Sequence, residues 1–134
     1  MQELEMRLRK DLSNIGLDVE YNLSLRPYSK SYFGRYDVAT NTIIIYVQKT
    51  PKGGMYSYED LFLTHLHEAL HCKQWSDPNY KRLKGVMHNL EFKKLYALYS
   101  NRAKALMLFR KVSNYDNSFK TNFGKSNNNF SFSC

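Results

Sequence analysis

The segment HEALH at positions 67–71 constrains the fold of this chain more than any other feature. Histidines four residues apart share one side of the backbone only on a helix, where they lie about one turn apart. On a helix, His67 and His71 can bind one Zn²⁺ ion through their imidazoles. Glu68 is rotated about 100° from His67, so it borders the metal and can take a proton from zinc-bound water. The segment therefore predicts a helix that carries two zinc ligands and a general base.

A catalytic zinc site needs a third protein ligand, and two residues downstream are candidates. All four histidines of the chain lie between positions 65 and 88. This clustering argues against the alternative that His67 and His71 are ordinary surface or core residues. His88 and Glu91 both follow that segment, and they are three residues apart on a predicted helix. Both can therefore face the same metal ion.

Two other residues near the segment are not predicted to bind the metal. His65 precedes His67 by two positions, which turns it to nearly the opposite side of a helix, so we predict a polar or capping role for it. Cys72 is rotated about 100° from His71 around the same helix, and we interpret it as a small buried residue.

The first part of the chain is predicted to contain a helix and then a small sheet of about three strands. Apolar residues recur at helical spacing over residues 2–15, and Gly16 follows as a stop signal. Apolar and polar residues alternate over residues 19–25, which is typical of a strand with one buried face. A hairpin is predicted over about residues 32–48. Its second strand, TIIIYV, is an almost unbroken run of apolar residues, which is typical of strands that are buried on both faces.

The remainder of the chain is predicted to be largely helical, which gives an α+β fold. Positions 51–54 contain a proline and two glycines and predict a loop. Ser57 then begins a helix over about residues 58–75 with a pattern close to a capping box. A second long helix is predicted from about His88 to Lys111, with an apolar stripe for core packing that consists of Phe92, Leu95, Tyr96, Tyr99, Ala103 and Leu106.

We interpret residues 1–112 as a single domain and residues 113–134 as a tail. A chain of 134 residues provides enough material for one core. The tail is rich in Asn, Ser and Phe, and its composition predicts a segment that is flexible or depends on a partner for order.

The net charge of +8 is concentrated in the second half of the chain. Residues 1–72 hold 8 Lys and Arg against 9 Asp and Glu, whereas residues 73–134 hold 12 against 3. A basic half of this kind can bind phosphate backbones through counterion release, although it can equally be a solubilising face. The candidate contacts to nucleic acid are the basic side chains that follow the HEALH helix: Lys81, Arg82, Lys84, Lys93 and Lys94.

Composition disfavours membrane, secreted and disulfide-rich classes. No run approaches the ~18 apolar residues that a membrane span needs. The N-terminal MQELEMRLRKDL lacks the apolar core of a signal peptide. The two cysteines are too few for a disulfide framework or a four-cysteine zinc ribbon. We expect a cytoplasmic or virus-encoded intracellular protein without a membrane partner.

The stretch HEALHCKQW…GVMHNLEFKKLY resembles the SprT-like family of zinc metalloproteases, which includes the Spartan-type proteases. That family follows its H-E-x-x-H helix with a segment of the form H-G-x-x-F, and residues 88–92 read HNLEF, with Asn89 in place of the usual Gly. Gly34 and Arg35, followed by NTIIIYV, are similar to the small sheet that precedes the catalytic helix of the family. The order of elements is similar over roughly residues 5–110, while the specific motifs occupy residues 67–92.

The resemblance implies that His67, His71 and His88 bind one Zn²⁺ per chain and that Glu68 is the base. Glu91 would then lie close to a ligand, in hydrogen-bonding distance of it, and Phe92 would pack under the site. The implied activity is hydrolysis of a protein or peptide substrate, with DNA as a further partner through the basic C-terminal half. Many family members carry a Cys-rich zinc ribbon at the C-terminus, which two cysteines cannot form.

Two other functions remain open from the sequence. The chain could be a nucleic-acid-binding protein with a non-catalytic zinc site, although structural zinc is usually closed by four ligands and often by cysteine. It could also be another zinc-dependent hydrolase, such as a nuclease, that activates water in the same way on a different bond.

Overall fold

The computed structural model of this chain describes residues 2–76 and 90–117. Helices and strands occur together, which confirms the predicted α+β class. The predictions for Lys81, Arg82, Lys84 and His88, and those for the tail beyond residue 117, lie outside the described residues. In chain order the elements are α1 (Gln2–Asn14), β1 (Asn22–Arg26), β2 (Gly34–Asp37), β3 (Thr42–Tyr46), β4 (Gln48–Thr50), β5 (Gly53–Met55), α2 (Tyr58–Ser76) and α3 (Leu90–Asn117).

Three strands form one sheet in the order β1-β3-β2. β3 pairs with β1 in parallel and with β2 in antiparallel fashion, so the predicted hairpin of residues 32–48 is confirmed. The three isoleucines of β3, at positions 43–45, are at most 2% exposed, as expected for a central strand buried on both faces. β1 begins at Asn22 and not at the predicted Val19, because Asn22 pairs with Thr42, the first residue of β3.

The loop predicted at positions 51–54 is instead the tip of a second, two-stranded sheet. β4 and β5 pair in antiparallel fashion, with Thr50 opposite Gly53. The Thr50 hydroxyl donates a hydrogen bond to the Gly53 carbonyl at 2.8 Å, which closes the turn. Gly53 and Gly54 have φ angles of 130° and 76°, a conformation that side chains disfavour, so the glycines form the hairpin itself.

Local capping signals explain where α1 ends and where α2 begins. Gly16 has a φ of 87° and follows α1. Its N–H donates to the Ser13 carbonyl and the Leu17 N–H donates to the Leu12 carbonyl, which together form a Schellman motif. At the start of α2, the Ser57 hydroxyl accepts a hydrogen bond from the Asp60 N–H at 3.2 Å. The predicted start of the HEALH helix is thereby confirmed.

α2 is the central helix of the fold and packs against elements on several sides. It contacts β2 and β3 of the sheet, α1 and α3. Phe62, Leu66 and Leu70 are completely buried in the core that these elements share. A helix surrounded in this way has few solvent-facing positions, so even its polar residues at the middle turns are buried.

α3 packs its predicted apolar stripe against the core. Phe92 is 3% exposed and Ala103 is fully buried, and the other four members of the stripe are partly buried against the same cluster. The helix continues to Asn117, beyond the predicted end at Lys111, because the sequence VSNYDN contains neither Gly nor Pro to terminate it. Within the described part of the chain, no helix is both long and apolar enough for a membrane span.

Candidate active site

The middle of α2 brings His67, Glu68 and His71 together inside the protein. The ring centroids of His67 and His71 are 4.9 Å apart and their planes are nearly perpendicular, at 80°. The three residues are 5%, 2% and 5% exposed. Two imidazoles on one side of a helix with a buried carboxylate next to the first of them are the arrangement that the sequence predicts.

Two aromatic side chains of α3 lie against these histidines. Phe92 stacks on the His71 ring at 4.4 Å with an interplanar angle of 14°, and it meets the His67 ring edge-on at 5.2 Å. Tyr96 meets the His67 ring edge-on at 5.8 Å. Burial raises the pKa of Tyr96 to about 12, so the phenol remains neutral at physiological pH. The prediction that Phe92 packs under the site is confirmed, and the contact of Tyr96 was not predicted.

Gln74 is a member of the site that the sequence analysis missed. The Oε1 atom of Gln74 lies 2.6 Å from Nδ1 of His71, and Gln74 is only 2% exposed. The signal was available, because a residue three positions after a helical histidine can reach that side chain. A glutamine side chain does not titrate and is an uncommon zinc ligand, so its position alone does not indicate a role in a zinc site.

β2 borders the site from the sheet side. A Cβ atom added to Gly34 would lie 3.5 Å from Cγ of Glu68 and 2.7 Å from Cγ2 of Thr64. The absence of a side chain at Gly34 therefore lets the strand lie directly against α2 at the position of Glu68. β2 is the edge strand of the three-stranded sheet on this side.

The third predicted ligand is the part of the site that the described residues do not supply. His88 lies outside them. Glu91 lies at the exposed start of α3. Within residues 2–76 and 90–117, no group of three His, Cys, Asp or Glu side chains is placed to share a metal ion. The described chain thus supplies two candidate ligands and a candidate base.

The two nearby residues that were predicted not to be ligands have other contacts. Nε2 of His65 lies 2.6 Å from the hydroxyl of Tyr21, and His65 is completely buried. Burial lowers the pKa of His65 to about 3. Cys72 is completely buried, and its Sγ lies 3.5 Å from the Glu20 carbonyl. The interpretation of Cys72 as a small buried residue is confirmed. His65 has the predicted polar role, as a core residue and not as a capping one.

The chemistry of the donors fits a zinc ion. Neutral imidazole nitrogen is a preferred zinc ligand, and two histidines four residues apart on a helix are a common pair of ligands. The hydrogen bond from His71 to Gln74 matches the usual requirement that the second ring nitrogen of a metal-binding histidine has its own acceptor.

Lys93 and Lys94, the described candidates for nucleic-acid contact, are exposed at the start of α3.

No protein-family model matches this chain, and no curated protein matches it significantly. The resemblance to SprT-like proteases therefore depends on the HEALH and HNLEF segments themselves.

Proposed function

We propose that this chain is a zinc-dependent metallopeptidase of the SprT-like type. The observation that carries the proposal is the pair of buried histidines, His67 and His71, on one side of the central helix with their rings 4.9 Å apart and the buried Glu68 next to the first of them. Neutral imidazoles are preferred zinc ligands, and a carboxylate next to the first of them can take a proton from zinc-bound water. When bound, zinc supplies Lewis acidity that polarises a carbonyl oxygen and acidifies water.

In the proposed reaction, Glu68 is the general base. Its carboxylate accepts the proton of the attacking water and passes it to the leaving amine. The 2% exposure of Glu68 keeps bulk water away from this proton transfer. His67 and His71 hold the metal, and the ring of Phe92, stacked on His71, restricts the orientation of that ligand.

The resemblance of the HEALH and HNLEF segments to SprT-like proteases favours a peptide substrate over a phosphodiester. β2 lies against the proposed base, because a Cβ atom added to Gly34 would be 3.5 Å from Cγ of Glu68.

His88 is the proposed third ligand, and Glu91 is the alternative. In the HNLEF segment, His88 occupies the position at which the SprT-like family has its third zinc-binding histidine. The Glu91 side chain, in contrast, is exposed. His88→Ala and Glu91→Ala should separate the two, because zinc is expected to be lost only when the true ligand is removed.

DNA as a second partner is proposed on the charge of the C-terminal half, and Lys93 and Lys94 are the described residues that support it.

Metal analysis and a base substitution test the proposal. The purified protein should hold about one zinc per chain. Glu68→Gln should keep the zinc and lower peptide hydrolysis by about 10²- to 10⁴-fold, the usual contribution of a general base. Glu20→Gln makes the same chemical change at an exposed position and should leave both unchanged.

Three results would contradict this function. Protein without zinc would exclude a zinc enzyme. Full peptidase activity in Glu68→Gln would exclude Glu68 as the base. A zinc-loaded protein that binds nucleic acid but cleaves neither peptides nor phosphodiesters would favour the non-catalytic alternative, and cleavage of phosphodiesters alone would favour the nuclease.

A further inference from the structure

The buried contact between His71 and Gln74 has a consequence for how the metal is bound. Oε1 of Gln74 lies 2.6 Å from Nδ1 of His71, a short hydrogen bond between two residues of one helix. The carbonyl oxygen of a glutamine side chain can only accept a hydrogen bond. The proton must therefore be on Nδ1 of His71, which leaves the lone pair of the neutral ring on Nε2.

The surroundings of both residues hold this geometry in place. His71 and Gln74 are 5% and 2% exposed, so solvent offers little competition for the hydrogen bond. Phe92 stacks on the face of the His71 ring at 4.4 Å, which resists rotation of the ring out of its plane. Ring orientation and tautomer are thus set by two different neighbours, one from α2 and one from α3.

We propose that Gln74 is a positioning residue that fixes His71 as its Nδ1–H tautomer, so that the metal is bound through Nε2. The acceptor is a neutral amide, whereas metal-binding histidines often donate to a carboxylate, which raises the basicity of the ligand. Gln74 therefore orients His71 without the extra basicity that a carboxylate would add. The part of this inference that concerns zinc depends on the proposed function, but the tautomer does not.

The tautomer can be measured in the metal-free protein. Long-range ¹H–¹⁵N correlation spectra distinguish a protonated Nδ1 from a protonated Nε2. Wild-type His71 should show the Nδ1–H form, because Gln74 can accept only from that nitrogen. In Gln74→Leu, which removes the acceptor at similar size, the Nε2–H form should become populated. A wild-type spectrum with the proton on Nε2 would overturn the proposal, and that spectrum requires no variant that could fail to fold.

Zinc affinity provides the second measurement, by competition with a chelator of known affinity. Gln74→Leu should bind zinc about 10- to 100-fold more weakly, the usual effect of losing a partner of a metal ligand. Gln74→Glu keeps an acceptor for Nδ1 and adds the charge, so it should bind zinc at least as tightly as the wild type. Gln48→Leu makes the same change in β4 and should leave zinc affinity unchanged.

The outcomes separate this inference from the proposed function. Weakened zinc binding in Gln74→Leu, with recovery in Gln74→Glu, supports the positioning role, because a merely structural glutamine would not be rescued by a charged substitute. Unchanged zinc binding in a folded Gln74→Leu would overturn it. If the wild-type protein binds no zinc, the proposed function fails, while the His71 spectrum still decides whether Gln74 sets the tautomer.

Discussion

At the scale of single residues, the partly buried Tyr21 and the fully buried His65 form a polar pair on the side of α2 that faces away from the site. The Tyr21 hydroxyl lies 2.6 Å from Nε2 of His65, and the two rings meet edge-on at 5.5 Å. Burial lowers the pKa of His65 to about 3 and raises that of Tyr21 to about 12. Both side chains are therefore neutral at physiological pH, and the hydroxyl is the partner that compensates for burying the imidazole.

Tyr21→Phe should destabilise the protein without affecting the zinc ligands. The change leaves a fully buried ring nitrogen of His65 without its hydrogen bond, which costs about 1–3 kcal/mol. The free energy of unfolding can be measured by urea denaturation, with Tyr32→Phe as a control because Tyr32 is 47% exposed. Equal stability of the two variants would show that the contact with His65 contributes nothing.

At the scale of secondary structure elements, the close approach of β2 to α2 depends on Gly34. A Cβ atom at this position would lie 2.8 Å from the Ile44 carbonyl oxygen and 2.7 Å from Thr64 Cγ2. Both distances are shorter than a carbon atom tolerates, and the first is to backbone, which cannot move aside as a side chain can. The first contact is with β3 and the second with α2, so a side chain at this position must push β2 away from its neighbouring strand, from the helix, or from both.

Gly34→Ala should both destabilise the fold and reduce activity. Overpacking at a closely packed position costs about 1–3 kcal/mol, and displacement of β2 would also disturb Glu68, which lies close to Gly34. Unfolding in urea and peptidase activity below the melting temperature measure the two effects separately. Arg35→Ala alters the next residue of β2, whose side chain is exposed, and should preserve stability. Wild-type activity and stability in Gly34→Ala would contradict the close approach.

At the scale of the whole molecule, Asp11 connects the three helices. Both of its carboxylate oxygens accept hydrogen bonds from Arg110 of α3, at 2.7 and 2.6 Å, and one also accepts from the Tyr58 hydroxyl of α2. Asp11 itself is 1% exposed. Burial alone would raise its pKa, but the hydrogen bonds from Arg110 and Tyr58 outweigh that effect and hold the pKa below the ordinary 3.8.

The stability contributed by Asp11 should depend on pH with a definite sign. Because its pKa is lower in the folded protein, the contribution is complete above about pH 4 and is lost as the pH falls through the folded value. At neutral pH, Asp11→Asn should lower the free energy of unfolding by about 2–3 kcal/mol. This is somewhat less than the cost of removing one partner of a fully buried ion pair, because the Arg110 side chain is 34% exposed. Unfolding free energies at a series of pH values measure this.

A control and a contradictory result are available for the same measurement. Asp18→Asn, at an exposed position after α1, should change stability little at any pH. The gap between the wild type and Asp11→Asn should narrow as the pH falls below about 4, when the wild-type carboxyl takes up its proton. A gap that stays constant from neutral to acidic pH would show that the ionised form of Asp11 is not the stabilising one.

The sequence by itself determined the features that depend on neighbours within a few residues. The HEALH helix, its Ser57 cap, the Gly16 stop and the central isoleucine strand all follow from short periodicities and capping chemistry, which operate along the chain. His67 and His71 share a side of α2 for the same reason. Gln74 could have been found in this way too, because its partner is three residues distant.

Only the tertiary structure decided which distant segments meet. Asp11 and Arg110 are 99 residues apart, Tyr21 and His65 are 44 apart, and neither pairing leaves a pattern in the sequence. The placement of Phe92 on His71, and of an edge strand beside Glu68, likewise results from how α3 and the sheet pack on α2. The physical reason is that periodicity specifies which side of an element is buried, whereas the partner on that side is selected by shape and polar complementarity across the whole core.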